Sequence, residues 1–219
     1  MTAHLAIDLC ATELWLLADK ALYWPEPQAL LVADIHFGKA AAYRRLGQPV
    51  PSGTTETNLA RLDALLARYP ARRLIFLGDF LHAPESHAPA TLAQLAAWRH
   101  RHAGLRLTLI RGNHDRRAGD PPPELGIEVV GEPLLLGPFA LQHEPEPHPT
   151  HHVLAGHLHP AYRLRGRGRG RQSLRLPCFC LGERVSLLPA FGDFTGAAEI
   201  DAGPGRRLFL VGDGEVWPL

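Results

Sequence analysis

Five short stretches collect the residues able to do chemistry. Asp34 and His36 stand in "LVADIHFGK", Gly78 and Asp79 in "LIFLGDF", and Gly112, Asn113, His114 and Asp115 in "LIRGNHD". His143 closes "FALQH", and Gly156, His157 and His159 belong to "LAGHLH". Each set follows an apolar run. Taken singly, such an Asp or Gly-His pair is ordinary turn chemistry, and with 13 histidines in the chain some coincidence is expected. The ordered set is harder to dismiss. Carboxylate oxygens, an amide oxygen and imidazole nitrogens, without a thiolate, suit manganese, iron or zinc in a reactive site better than a structural zinc.

Strands and helices must bring these residues together. "ELWLLAD", "KALYWP" and "QALLVAD" read as successive short strands. "TTETNLARLDALLARY" reads as a helix with Leu59, Leu62, Leu65, Leu66 and Tyr69 on its apolar stripe and Thr or Ser as its cap. "RRLIFLGD", "APATLAQLAAWRHRHA" and "LRLTLIRGNHD" follow as strand, helix and strand, which predicts right-handed crossovers in an α/β sheet. Beyond Pro121 the segments are mostly strand-like, so a second, more antiparallel sheet should pack on the first. The chemistry-bearing residues then sit beyond the carboxyl ends of strands, where α/β sheets gather ligands. The halves share one site, so residues 1–219 are read as a single domain.

Composition sets the outer limits. With 219 residues, 46% hydrophobic, the chain can bury a full core. No apolar run nears the roughly 20 residues that span a bilayer, and no basic stretch followed by an apolar run opens the chain, so a cytoplasmic location and no membrane partner are expected. Cys10, Cys178 and Cys180 form no disulfide framework; Cys178 and Cys180 share one strand face and read as small core residues. The net charge is only +1, yet Pro147 to Gly182 holds no Asp or Glu while carrying Arg163, Arg165, Arg167, Arg169, Arg171 and Arg175. Such a loop attracts a polyanion, or is simply a solvated surface.

The ordered set D-x-H, GD, GNHD, H, GHxH resembles the signature of the calcineurin-like metallophosphoesterases, over about Leu30 to Pro160. The resemblance implies their four-layer sandwich, an α/β fold of two β-sheets flanked by helices. It also implies a ligand set: Asp34, His36 and His159 on one metal, Asn113, His143 and His157 on a second, and Asp79 bridging both. Two cations roughly 3.5–4 Å apart repel each other, so a shared carboxylate is close to obligatory, and together they supply hydroxide near neutral pH for in-line attack on phosphorus. His114 would act as general acid on the leaving oxygen, with Asp115 orienting it. Lys39 and His82 are candidate substrate contacts, as are Arg165, Arg167, Arg169 and Arg171.

That signature specifies a reaction class rather than a substrate. "VADIHFGKAAAYRRLGQPVPSGTTETNLARL", "GHLHPAYRLRGRGRGRQSLRLPCFCLG" and "LLPAFGDFTGA" are similar to the bacterial ligase-associated DNA-damage-response endonucleases. This resemblance implies a two-metal phosphodiesterase or endonuclease acting on DNA in repair, with manganese as first choice and iron or zinc as alternatives, and a DNA ligase and a helicase as partners. Two other readings stand beside it: a phosphoesterase for small nucleotides or phosphomonoesters, and a metal-binding repair module with little catalysis.

Overall fold

The computed structural model describes residues 4–45, 47, 53–166, 172–193 and 195–219. Its first sheet has seven strands in sequence order: β1 (His4–Leu9), β2 (Thr12–Leu17), β3 (Ala21–Trp24), β4 (Ala29–Val32), β5 (Arg73–Leu77), β6 (Arg106–Ile110) and β7 (Ile127–Val130). The early strands pair antiparallel through tight turns, and β4 to β7 run parallel. Parallel neighbours need crossovers. Helices α1 (Lys39–Arg45) and α2 (Thr54–Arg68) lie between β4 and β5, α3 (Pro89–Arg101) between β5 and β6, and α4 (Asn113–Ala118) between β6 and β7.

The second sheet has nine strands. It contains β8 (Leu134–Leu136), β9 (Phe139–Gln142), β10 (His152–Ala155), β11 (Pro160–Arg165), β12 (Ser173–Leu181), β13 (Val185–Leu187), β14 (Ala198–Glu199), β15 (Arg207–Gly212) and β16 (Glu215–Pro218). It is mixed: β9, β10 and β13 run parallel, whereas β11, β13 and β15 each pair antiparallel with β12. The fold class is the one expected, α/β with two β-sheets flanked by helices.

Burial explains the sequence pattern. Every residue of β3, β4, β9 and β10 is buried, because these strands are covered on both faces and read as continuous runs rather than alternations. Leu16, Leu31, Ile75 and Leu77 of the first sheet meet Phe139, Leu141, Leu154 and Phe179 of the second in one core. On the other side of the first sheet, Leu59, Leu62 and Leu65 of α2 and Leu95 and Trp98 of α3 pack with Leu74, Phe76 and Leu107. Removing one such buried leucine costs about 2–5 kcal/mol. Cys178 and Cys180 are buried within β12 as expected; burial, with Cys180 beside it, pushes the Cys178 thiol up to about 12.

Three local expectations need correction. No Ser or Thr caps α2: Gly53 does, in a left-handed conformation (φ 91°), with no side-chain hydrogen bond. The arginine-rich segment is not all loop, since Arg163 and Arg165 lie on β11 and Arg163 faces Arg175 across the ladder to β12. Arg167, Arg169 and Arg171 lie outside the described residues. The strand read in "LRLTLIRGNHD" stops at Ile110, and Asn113 opens α4.

Candidate metal centre

The chemistry-bearing residues follow the ends of β4, β5, β6, β9 and β10. The first three are neighbouring parallel strands of one sheet and the last two of the other. An isolated bridge from Ala33 to Ala190 ties the sheets together at this edge, so the five loops converge. Asp34, His36, Asp79, His157 and His159 all have φ between 49° and 69°. That left-handed region is unfavourable for side-chain-bearing residues, and five such residues in one place mark a site that the surrounding structure holds under constraint.

Close approach of the loops accounts for the glycines beside these side chains. A Cβ on Gly112 would stand 2.5 Å from the Asp79 nitrogen, and one on Gly156 would stand 2.6 Å from Asp34 Oδ2. A Cβ on Gly78 would run into the His143 ring. Each glycine of the motifs therefore lies directly behind a carboxylate or imidazole from a different strand.

Asp34 and Asp79 are both buried, at 0% and 2% exposure. Asp34 accepts the His157 backbone N–H at 2.9 Å, and Asp79 accepts that of His114 at 2.9 Å. His36 Nε2 lies 3.7 Å from Asp79 Oδ2, His143 Nε2 lies 3.5 Å from Asp79 Oδ1, and His159 Nε2 lies 3.5 Å from Asp34 Oδ1. Asp79 thus faces both groups of histidines. Burial holds its carboxyl above the usual carboxylate range, against the pull of His143.

Carbonyl oxygens only accept, and this orients the imidazoles. His143 Nδ1 donates to Leu77 O at 3.1 Å, and His159 Nδ1 donates to Gly196 O at 3.0 Å. Each ring then presents the Nε2 lone pair to the site, as a ligating histidine must. Burial, with Lys39 and the neighbouring histidines adding, pushes His36 far below its ordinary value, so it is neutral and a lone-pair donor. For His159 burial is outweighed by Asp34, and its value rises.

The donor set fits metal ions. His36 Nε2 is buried with no hydrogen-bond partner, an orphaned donor atom facing a carboxylate. His143 Nε2, His157 Nδ1 and Asn113 Oδ1 form a triangle with sides of 2.8, 3.0 and 3.1 Å. Ligands that meet at right angles on an ion about 2.1 Å away lie about 3 Å apart. Two buried carboxylates this close also call for a positive counter-charge. Asp34, His36 and His159 bring ligand atoms within 4.8 Å of one another, and so do Asp34, Asp79 and His143.

His114 stands at the edge, its Nε2 4.0 Å from Asp79 Oδ2. The hold that the resemblance implies from Asp115 is not a direct hydrogen bond to the imidazole. The fully buried Asp115 accepts the backbone N–H groups of Leu81 and Gly112, each at 2.9 Å, so its carboxylate is occupied in pinning the GNHD turn to the GD loop. The main-chain carbonyl of His82 holds His114 instead, accepting from Nδ1 at 2.7 Å. The His82 ring stacks on His114 at 4.7 Å between centroids, and its Nδ1 lies 3.3 Å from His36 Nδ1. Burial, with Lys39 and His114 adding, pushes His82 down to about 4.

Lys39 is buried at the start of α1 near these rings, and burial lowers its value against the pull of Asp79 and Asp34. Arg165 is exposed, 3.9 Å from Glu199. Glu132 is a residue sequence reasoning missed; it accepts the backbone N–H groups of His143 and Glu144 at 2.8 and 3.1 Å and fixes the His143 loop. No motif surrounds it, so only the fold reveals that role.

Comparison with known proteins bears on this geometry. The profile described as calcineurin-like phosphoesterase matches residues 28–145. The crystal structure of a Pseudomonas putida nuclease, MPE, is 58% identical over 99% of this chain and 100% of that one, with a TM-score of 0.87. A protein of unknown function from Aquifex aeolicus is far less similar: 18% identity over 60% of this chain and 78% of its own, TM-score 0.41. No curated protein matches. A matching profile and a relative similar from end to end agree, and the chain belongs to the calcineurin-like phosphoesterases, a family of metal-dependent enzymes.

Proposed function

We propose that this protein is a two-metal phosphodiesterase that cuts nucleic acid, with DNA as its substrate. The observation that carries the nucleic-acid part is the 58% identity, over the whole of both chains, to a protein called a nuclease. Asp34, His36 and His159 hold one cation in this reading, Asn113, His143 and His157 a second, and Asp79 serves both. Two divalent cations so held neutralise phosphate oxygens and bring the pKa of a bound water towards neutrality. Manganese is the first choice; iron and zinc suit the same donors.

The chain's own residues supply the rest. His114, fixed at Nδ1 by the His82 carbonyl, keeps Nε2 free to carry a proton and deliver it to the departing oxygen. Asp115 keeps the GNHD turn at the distance this requires. Lys39, buried near the His36 and His82 rings, adds positive charge beside the centre. The whole chain acts as one domain, because the inter-sheet core and the five loops belong to both halves. A cytoplasmic setting agrees with three free cysteines, one of them exposed. No helix among the described residues is long and apolar enough to cross a membrane. A role in DNA repair beside a ligase and a helicase completes the proposal and rests on the sequence resemblance alone.

One assay tests it. The purified protein with manganese is offered plasmid DNA, single-stranded DNA, a bis-aryl phosphodiester and a phosphomonoester side by side. Hydrolysis of DNA and of the aryl diester is expected. Turnover of the monoester alone would replace this reading with the small-substrate one.

A further inference from the structure

Beside the metal centre lies a cleft of about 160 Å³, lined by Lys20, His159, Arg175, Pro177, Thr195 and Gly196 among others. His159 belongs to both places. Its Nε2 faces Asp34, while its Nδ1 is tied to the carbonyl of Gly196 on the cleft wall. A group seated in the cleft therefore sits against the back of a proposed metal ligand.

The cleft is cationic, and no described residue lining it is acidic. Among the described residues Lys20 has one carboxylate within 4 Å, Asp193 at 3.6 Å, whose same oxygen Arg61 shares at 3.3 Å. The Asp19 carboxylate acts on both cations from further off. Arg61 is otherwise well satisfied, donating to Asp19 O at 3.0 Å and lying 4.1 Å over the Phe191 ring. Two cations thus divide the Asp193 oxygen, and Lys20 has no carboxylate in contact that is its own. Burial, with Arg61 adding, pushes it down to about 8, which still leaves it largely charged at neutral pH. Arg175, on β12, has no carboxylate partner among the described residues. Its cross-strand neighbour Arg163 differs, because it is held by Glu199 at 2.9 Å.

We infer that this cleft is the subsite for the phosphate next to the scissile one, with Lys20 and Arg175 as its cationic contacts. The inference rests on the nuclease reading above and adds where the strand leaves the metal centre. Cations directed at phosphate give register and affinity without reading the bases, so the subsite recognises a polynucleotide backbone of any sequence. It also moves the anion contact away from Arg165, which is exposed and already leans towards Glu199.

The test separates the subsite from the centre. Three substrates are compared with manganese: bis(4-nitrophenyl) phosphate, the dithymidylate TpT with one phosphate, and the trithymidylate TpTpT with a second phosphate beside the first. In the wild type the second phosphate should raise kcat/KM about tenfold, the effect of one hydrogen bond to a charged group. Arg175→Gln should erase most of that gain, and Lys20→Gln part of it. Binding of fluorescein-labelled oligothymidylate in EDTA gives a readout independent of turnover, and Arg175→Gln should weaken it by a similar factor. Arg175 is exposed, so its variant is expected to keep the wild-type melting temperature. A wild type that cleaves the aryl diester, yet neither cleaves nor binds any thymidylate, refutes the nuclease reading and the subsite with it. A wild type that cleaves TpTpT with no gain over TpT, or with a gain that survives in both variants, overturns the subsite alone.

Discussion

Gly112→Ala tests whether the glycines of the motifs are there to let the loops close on the centre. Gly112 has φ −86°, which alanine adopts freely, so backbone strain does not enter. The added methyl would stand 2.5 Å from the Asp79 nitrogen and 3.0 Å from Gly78 Cα, where ordinary contact begins at 3.4 Å; Asp79 Oδ1 would be closer still. The loops carrying Asn113 and Asp79 must therefore separate by about 0.9 Å, the difference between 3.4 and 2.5 Å. A shift near 1 Å at a positioned group costs about 10²-fold in rate, or roughly 2.7 kcal/mol of barrier. Overpacking should also remove about 1–3 kcal/mol of stability. The assay is kcat/KM on bis(4-nitrophenyl) phosphate with manganese, together with metal content and melting temperature. Gly131→Ala is the control, because a Cβ there meets nothing within 4 Å. Gly112→Ala with activity and metal content within twofold of wild type would show that the close approach is incidental, and the geometric case for these loops would fail.

Asp79 faces both groups of histidines, so Asp79→Asn should abolish turnover and weaken both metal sites, whereas His36→Ala should perturb mainly one; metal analysis of the two variants decides. His114→Ala should retain its metal but slow the chemistry by roughly 10²–10⁴-fold on poor leaving groups, and much less on a nitrophenolate, which needs little protonation. Equal losses on both substrates would refute a proton-donating role. Cys178 carries a pH signature: its thiol is held at about 12 in the fold against 9.0 when free. The folded state keeps a proton that the unfolded chain releases, so the stabilisation is complete below about pH 9 and is lost as pH rises towards 12. Denaturant titrations of Cys178→Ala should show a flatter alkaline decline, by up to about 1.4 kcal/mol per pH unit in that window. A slope unchanged from wild type would show that the thiol titrates freely.

That the candidate metal ligands would gather at one edge was legible in the sequence, because each is a polar group directly after a buried apolar run and a parallel sheet delivers such strand ends to one edge. "LIFLGD" and "LTLIRGNHD" announce β5, β6 and the residues beyond them without any help from the rest of the chain. Helix α2 was equally plain from its leucine spacing, and the segment of α3 was also read as a helix. Side-chain partnerships were not legible, because hydrogen-bond partners are chosen by distance in space. Asp115 neighbours His114 in the chain, yet it is used up by the backbone of Leu81, and a carbonyl from the GD loop takes its supposed place. The arginines show the same limit. In the sequence Arg163, Arg165 and Arg175 look alike, but β14 brings Glu199 to the first two and leaves Arg175 lining the same cleft as Lys20, a residue 155 positions away. Local apolar patterning determined which residues reach the edge of the sheets; the packing of one sheet on the other decided which of them meet, since only there do charges far apart in the chain come within reach of each other.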